Sequence, residues 1–184
     1  LPAPKIAIIA TNIPTLTNIA IDLIKSGVTR ILIEKPGFVY FKDFEKLLEY
    51  QKKFQVEISI AYNRRFYSST LKLLELIKAE GGIKSLSFEF TEFSHTIKNL
   101  SFPKEIKEKW LIANSSHVID LAFYLIGLPK KDNWKSYSSG NLPWHPSSCR
   151  FHGAGLSINN IPFSYYADWE CPHSSPRSRV SVPL

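Results

Sequence analysis

Residues 5–61, KIAIIATNIPTLTNIAIDLIKSGVTRILIEKPGFVYFKDFEKLLEYQKKFQVEISIA, decide the fold. Residues 5–11 form a continuous apolar run, which suits a strand buried on both faces of a parallel sheet. Leu16, Ile19, Ala20, Leu23 and Ile24 then recur at helical spacing, and Gly27 supplies the stop. Arg30–Glu34 is a second short apolar strand. Phe44, Leu47 and Leu48 mark a second helix with Lys and Glu on its outer face. Val56, Ile58 and Ile60 alternate with Glu57 and Ser59 as a third strand. Strand, helix, strand, helix, strand with short connections predicts right-handed βαβ crossovers and a doubly wound parallel sheet.

Past Tyr62 the pattern changes. Leu71, Leu74 and Ile77 predict a helix stopped by Gly81 and Gly82. Leu86, Phe88 and Phe90 alternate with Ser85, Ser87, Glu89 and Thr91, the mark of a strand with one wet face, as in antiparallel sheets. A helix is expected over about 115–126, then a loop-rich stretch from Lys130 on, with two further strands near 150–158 and 162–170. The expected class is therefore α/β: a partial Rossmann-like parallel sheet over 1–61, then part of an α+β domain over 62–184 with a mainly antiparallel, open-faced sheet.

Composition narrows the function. The chain has 184 residues, 44% of them hydrophobic, enough to bury a real core. No apolar run reaches the roughly 18 residues a membrane span needs, and no signal-peptide pattern opens the chain, so no membrane partner is expected. Only Cys149 and Cys171 are present, too few for a disulfide scaffold, which makes a reducing, cytoplasmic setting the default. The formal charge of +7 suits an anionic ligand. The lysines are spread along helix faces, however, and the longest basic cluster is Arg64-Arg65, so nucleic acid is not expected as a partner. A start at Leu1 and the absence of methionine suggest a fragment.

In an open parallel sheet, ligands bind beyond the carboxyl ends of the strands. Three polar clusters fall there: Ala10-Thr11-Asn12, Glu34-Lys35-Pro36, and the segment Tyr62-Asn63-Arg64-Arg65-Phe66. Lys35 precedes a proline, so its backbone is pushed towards extended geometry and its ammonium is held at the sheet rim. There it could polarise a hydroxyl or carbonyl, although an isolated lysine is ordinarily a solvated surface residue. A second constellation, Asn114-Ser115-Ser116-His117-Val118-Ile119-Asp120, opens a helix. Asn114 or Ser115 could cap it. The positive end of the helix dipole would keep His117 neutral and able to accept a proton, and Asp120 or Asn114 could orient it. The bland alternative is a packed histidine. His145, Cys149, His152, Cys171 and His173 crowd the tail, but their spacing lacks the tight pairs of zinc sites, so no metal is expected.

The ordered set of motifs resembles the Gfo/Idh/MocA family of glucose–fructose oxidoreductase and inositol dehydrogenase-like enzymes. IAIIATNIPTLTNIAIDLIKSGVTRILIEKPG resembles the second half of its dinucleotide-binding domain, AYNRRF its junction into the second domain, and NSSHVIDLAFYLIGLP its histidine-bearing helix. The resemblance covers about residues 5–129. It implies NAD or NADP as cofactor and hydride transfer to or from a hydroxyl-bearing carbon of a sugar, nucleotide sugar or polyol. Lys35 matches a lysine that contacts nicotinamide ribose and substrate, often beside a cis Lys-Pro bond, and Glu34 and Pro36 complete that motif. His117 matches the proton acceptor or donor; Asn114 and Asp120, on the same stretch, are expected to contact the substrate. Ala10 and Thr11 match the lining of the dinucleotide site, with Asn12 beside them expected to bind the cofactor as well, and Asn63 and Arg64 match residues near the nicotinamide. The resemblance also implies two preceding βα units, on the order of 60 residues at about 30 each, that carry the glycine-rich loop. Homo-oligomerisation through the open-faced sheet is expected of the full-length protein, and inactivity of the fragment alone. The alternative is a non-catalytic dinucleotide- or sugar-binding regulatory relative, or an inactive remnant. It rests on Ala113, four residues before His117, where many members carry an aspartate.

Overall fold

β1 (Ile6–Ile9), β2 (Arg30–Glu34) and β3 (Glu57–Ala61) lie side by side, all parallel, in sequence order. Ile6 pairs with Arg30, and Arg30 in turn with Glu57. This is a computed structural model, and it describes residues 4–170 and 178–181. α1 (Leu16–Lys25) and α2 (Phe41–Phe54) are the two crossovers. The residue types explain where they stop. Gly27 takes φ +95° after α1, and the Ser26 hydroxyl donates to the Asp22 and Leu23 carbonyls, which also accept the Ser26 and Val28 N–H groups. Gln55 closes α2 in the left-handed region at φ 52°.

Ile9, Ile31 and Ile33 pack with Leu16, Ala20, Ile24 and Leu47 to form one core. Here the structure corrects an expectation: β1 is not buried on both faces. Ile6 and Ile8 are 58% and 73% exposed. The reason is topological. Two successive right-handed crossovers that advance in the same direction deliver both helices to the same face.

The chain divides into two compact units, Leu1–Tyr62 with Leu111–Asn114, and Asn63–Trp110 with Ser115–Leu184. The second contains α3 (Ser68–Ala79), β4 (Ser85–Glu89), the single turns α4 (Ser94–Ile97) and α5 (Lys104–Lys107), and α6 (Ser116–Ile126). β5 (Pro129–Ser139), β6 (Arg150–Ser157), β7 (Pro162–Asp168) and β8 (Ser178–Ser181) follow. The sheet order is β5-β6-β7-β4-β8. Only the β4–β7 pair is parallel, so the sheet is mixed. Leu86, Phe88 and Phe90 are buried, as their alternation requires. Phe88 and Phe163 meet Phe123 of α6 edge-on at 5.7 and 5.1 Å, which seats that helix on the inner face.

β5 is the second correction. PKKDNWKSYSS was expected to be loop, yet it is an eleven-residue strand paired to β6. It is an edge strand exposed along nearly its whole length, so its side chains show no apolar period, and backbone pairing with β6 defines it instead. Among the described residues no helix is long and apolar enough to cross a membrane.

Candidate functional site

In the first unit the three carboxyl ends of the strands sit next to one another. Beyond β1, Ala10, Thr11 and Asn12 are exposed. The Thr11 and Thr15 hydroxyls are 2.9 Å apart, and Thr15 donates to the Asn12 carbonyl through both its backbone N–H and its hydroxyl. Beyond β2, Glu34 and Lys35 are half-buried and Pro36 is buried. The Lys35-Pro36 bond is cis, and Gly37 follows at φ +80° with its carbonyl accepting from the Thr17 hydroxyl. Lys35 is therefore no freely solvated surface lysine. Its Nζ donates at 2.8 Å to the carbonyl of Ala113, in the segment 111–114 that belongs to this unit.

In the second unit the site residues lie along α6 and the turn after β3. Asn63 is exposed. Arg64 is half-buried, and its carbonyl accepts from the Thr70 hydroxyl at 2.8 Å. The start of α6 differs from expectation. Residues Leu111–Ser115 form a π-helical turn that runs straight into α6, and Ser115 at the N-cap position makes no side-chain cap hydrogen bond. A continuous helical path has no free first turn at Ser116 to cap, and the dipole's positive end lies upstream of His117. The Ser115 hydroxyl turns instead to Glu92 Oε1 at 2.7 Å. His117 is half-buried with its Nδ1 atom buried. Asp120 takes both Nε (2.8 Å) and Nη2 of Arg65, whose guanidinium lies 4.9 Å over the Tyr124 ring. Its carboxylate is thus engaged with Arg65. Arg65 and Glu92 are the residues sequence reading passed over. Arg65 stands inside the strand-end cluster Tyr62-Asn63-Arg64-Arg65-Phe66 but has no role of its own in the sequence reading, and Glu92 carries no local signal.

The tail residues weighed as metal ligands go separate ways. His145 is buried, with Nδ1 2.6 Å from the Ser148 carbonyl. Burial pushes its pKa down, against the pull of that carbonyl. Cys149 is a buried free thiol whose pKa burial pushes up, reinforced by the neighbouring Glu170. His152 is exposed and packs edge-on against Tyr166. Cys171 and His173 lie outside the described residues. Among the described residues no three such side chains gather as a metal site would need.

No family model matches the sequence, and no curated protein matches it. Solved structures do. An NAD-binding oxidoreductase from Klebsiella pneumoniae superposes with a TM-score of 0.74 at 12% identity, over 97% of this chain and 52% of its own. UDP-N-acetylglucosamine 3-dehydrogenase from Acidithiobacillus ferrooxidans gives 0.69 at 16% identity, covering 96% and 54%. The WlbA dehydrogenase from Chromobacterium violaceum, solved with NADH and UDP-GlcNAcA, gives 0.69 at 14%, covering 89% and 48%. The chain spans about half the length of the solved structures it matches. At these identities the likeness is one of fold: the chain has the architecture of about half of each of these solved structures.

Proposed function

We propose that the chain is part of an NAD(P)-dependent oxidoreductase acting on a hydroxyl-bearing carbon of a sugar, nucleotide sugar or polyol. The observation that carries this reading is Lys35. It is half-buried at the carboxyl end of a parallel strand, with its ammonium fixed on the Ala113 carbonyl and polar strand ends on either side. A cation held there stabilises negative charge on a substrate oxygen. The residues beyond β1 and β2 fit the nicotinamide-ribose half of a dinucleotide. No glycine-rich strand-to-helix turn for the pyrophosphate occurs in this sequence. The cofactor, when bound, supplies the hydride acceptor. His117 takes the hydroxyl proton as the carbon is oxidised to a carbonyl. Its Nδ1 is shut away from solvent, so the proton passes through Nε2. Arg65 and Asp120 hold α6, and through it the imidazole.

A second reading, a non-catalytic dinucleotide- or sugar-binding relative, is favoured by Ala113, a buried residue that offers the Lys35 ammonium its backbone carbonyl and has no carboxylate to offer. The two separate in one assay. The whole protein is mixed with NAD or NADP and a panel of polyols, sugars and nucleotide sugars, and reduced nicotinamide is followed by absorbance. Reduction with any member supports the enzyme. Saturable binding of dinucleotide or sugar with no reduction across the panel removes that reading and leaves the second.

A further inference from the structure

A cleft of about 690 Å³ in the second unit lies among α4, α5 and the segment 142–144. That size suits a small organic ligand. Trp144 and Trp169 line it as a stacked pair, ring centres 5.7 Å apart at 10°. Phe102 lines it too and is partly exposed. Lys98, Lys104 and Lys107 add three ammonium groups. Lys107 Nζ donates to the Lys98 carbonyl at 2.9 Å, tying α5 to the residue after α4. Among the described residues Lys104 approaches Glu108, at 3.7 Å on an exposed turn. Among the described residues neither Lys98 nor Lys107 pairs with a carboxylate. The one carboxylate in the lining, Glu170, is taken by Arg150.

Lysines on an open surface mean little in a chain of charge +7. Here the charge surrounds a concave, ring-walled space, where low-dielectric walls strengthen the attraction for an anion. Trp110 lies behind two of the lining rings. It packs edge-on against Phe102 at 5.5 Å and Trp144 at 6.3 Å, and its buried indole N–H has no acceptor among the described residues.

We propose that this cleft binds a small molecule joining a phosphate or carboxylate to a flat ring, the anion on Lys98 and Lys107 and the ring on Phe102. The site stands on the second unit alone and does not need the oxidoreductase reading.

The test is a titration of the full 184-residue chain with uridine diphosphate, pyrophosphate and uridine, by calorimetry and tryptophan fluorescence. Uridine diphosphate should bind, and bind more tightly than either part. Each lysine contact to an oxyanion is worth on the order of tenfold in affinity, so Lys98→Ala with Lys107→Ala should weaken binding by about a hundredfold. Lys52→Ala with Lys53→Ala removes the same charge from α2 and should change it little. Phe102→Ala, at an exposed ring, should erase the advantage of uridine diphosphate over pyrophosphate, and circular dichroism checks that each variant is folded. Absence of binding at millimolar uridine diphosphate overturns the proposal, as does equal loss in both lysine pairs. Pyrophosphate binding as tightly as uridine diphosphate overturns the ring contact. Turnover of a simple polyol without uridine diphosphate binding removes this cleft's role and keeps the enzyme, whereas binding without any turnover does the reverse.

Discussion

His145 stands in a box of rings, with Trp169 at 4.8 Å, Trp144 at 5.8 Å and Phe151 at 6.4 Å. Burial lowers its folded-state pKa from the ordinary 6.5. Above that value both folded and unfolded states hold a neutral ring, and the group is indifferent to pH. As the pH falls below 6.5 the unfolded chain takes the proton first, so stability declines until the folded pKa is passed. Urea midpoints between pH 7 and pH 5 should therefore fall, and His145→Asn, which keeps a donor for the Ser148 carbonyl, should flatten part of that slope. An unchanged slope would mean other groups dominate. Lys35 and His117 invite a second comparison, on the proposed reaction in the whole protein. Removing a general base typically costs about 10²–10⁴-fold in rate, so His117→Ala should lower turnover and leave dinucleotide affinity nearly intact. Lys35→Ala should lower both, because the proposed role gives its ammonium the nicotinamide ribose and the substrate together. Steady-state kinetics with separately measured dinucleotide affinity decides. Near-normal turnover in His117→Ala would withdraw the histidine's role.

At the scale of elements, the Arg65–Asp120 pair fixes α6 to the turn after β3. Asp120 is only 12% exposed and Arg65 36%, so the pair is partly shielded, and its two hydrogen bonds share one fork. Such a pair should couple by about 1–2 kcal/mol, less than a fully buried one because the arginine side is still wet. Asp120→Ala and Arg65→Ala should each destabilise, and the double variant should cost less than the sum. Additive costs in urea unfolding would show that the two residues act independently. What the sequence showed at this scale depended on whether side chains report their surroundings. Leu86, Phe88 and Phe90 announced β4 because one face of it is dry. β5 stayed hidden because Lys130, Lys131, Asp132 and Ser136 are all solvated, and only its backbone is committed. The apolar run of β1 revealed the strand but not which face its helices cover, since that depends on strand order, a non-local property. The motif residues at the strand ends were legible as positions. The π-helical turn before α6 was not, because Leu111–Ser115 has ordinary helical composition and no glycine or proline to mark it.

For the molecule as a whole, the parallel sheet offers no pyrophosphate site of its own. Dinucleotides set that group on free N–H donors at a helix start, usually after a glycine-rich turn. α1 begins after the turn Ile13–Thr15, where Pro14 has no N–H and the Thr15 and Leu16 N–H groups already donate to Asn12 and Ile13 carbonyls. α2 carries Asp43 in its first turn, and the Asp43 N–H is taken by the Tyr40 carbonyl. That leaves one helix start short of donors and the other with a charge that repels phosphate. Ile6, Ile8 and Leu32 meanwhile line the face that α1 and α2 do not cover, where further elements of a doubly wound sheet would pack. The 184-residue chain alone should therefore bind NAD only with a dissociation constant on the order of millimolar or weaker. Calorimetry at low salt, where attraction to the basic chain is strongest, is the most demanding measurement. Weak binding that vanishes as salt is raised would be the charge of the surface acting, not a site. Micromolar binding that survives salt would show that the strand-end residues Thr11, Asn12 and Lys35 hold the dinucleotide without a phosphate loop, and the division of labour between the two ends of the cofactor would have to be redrawn.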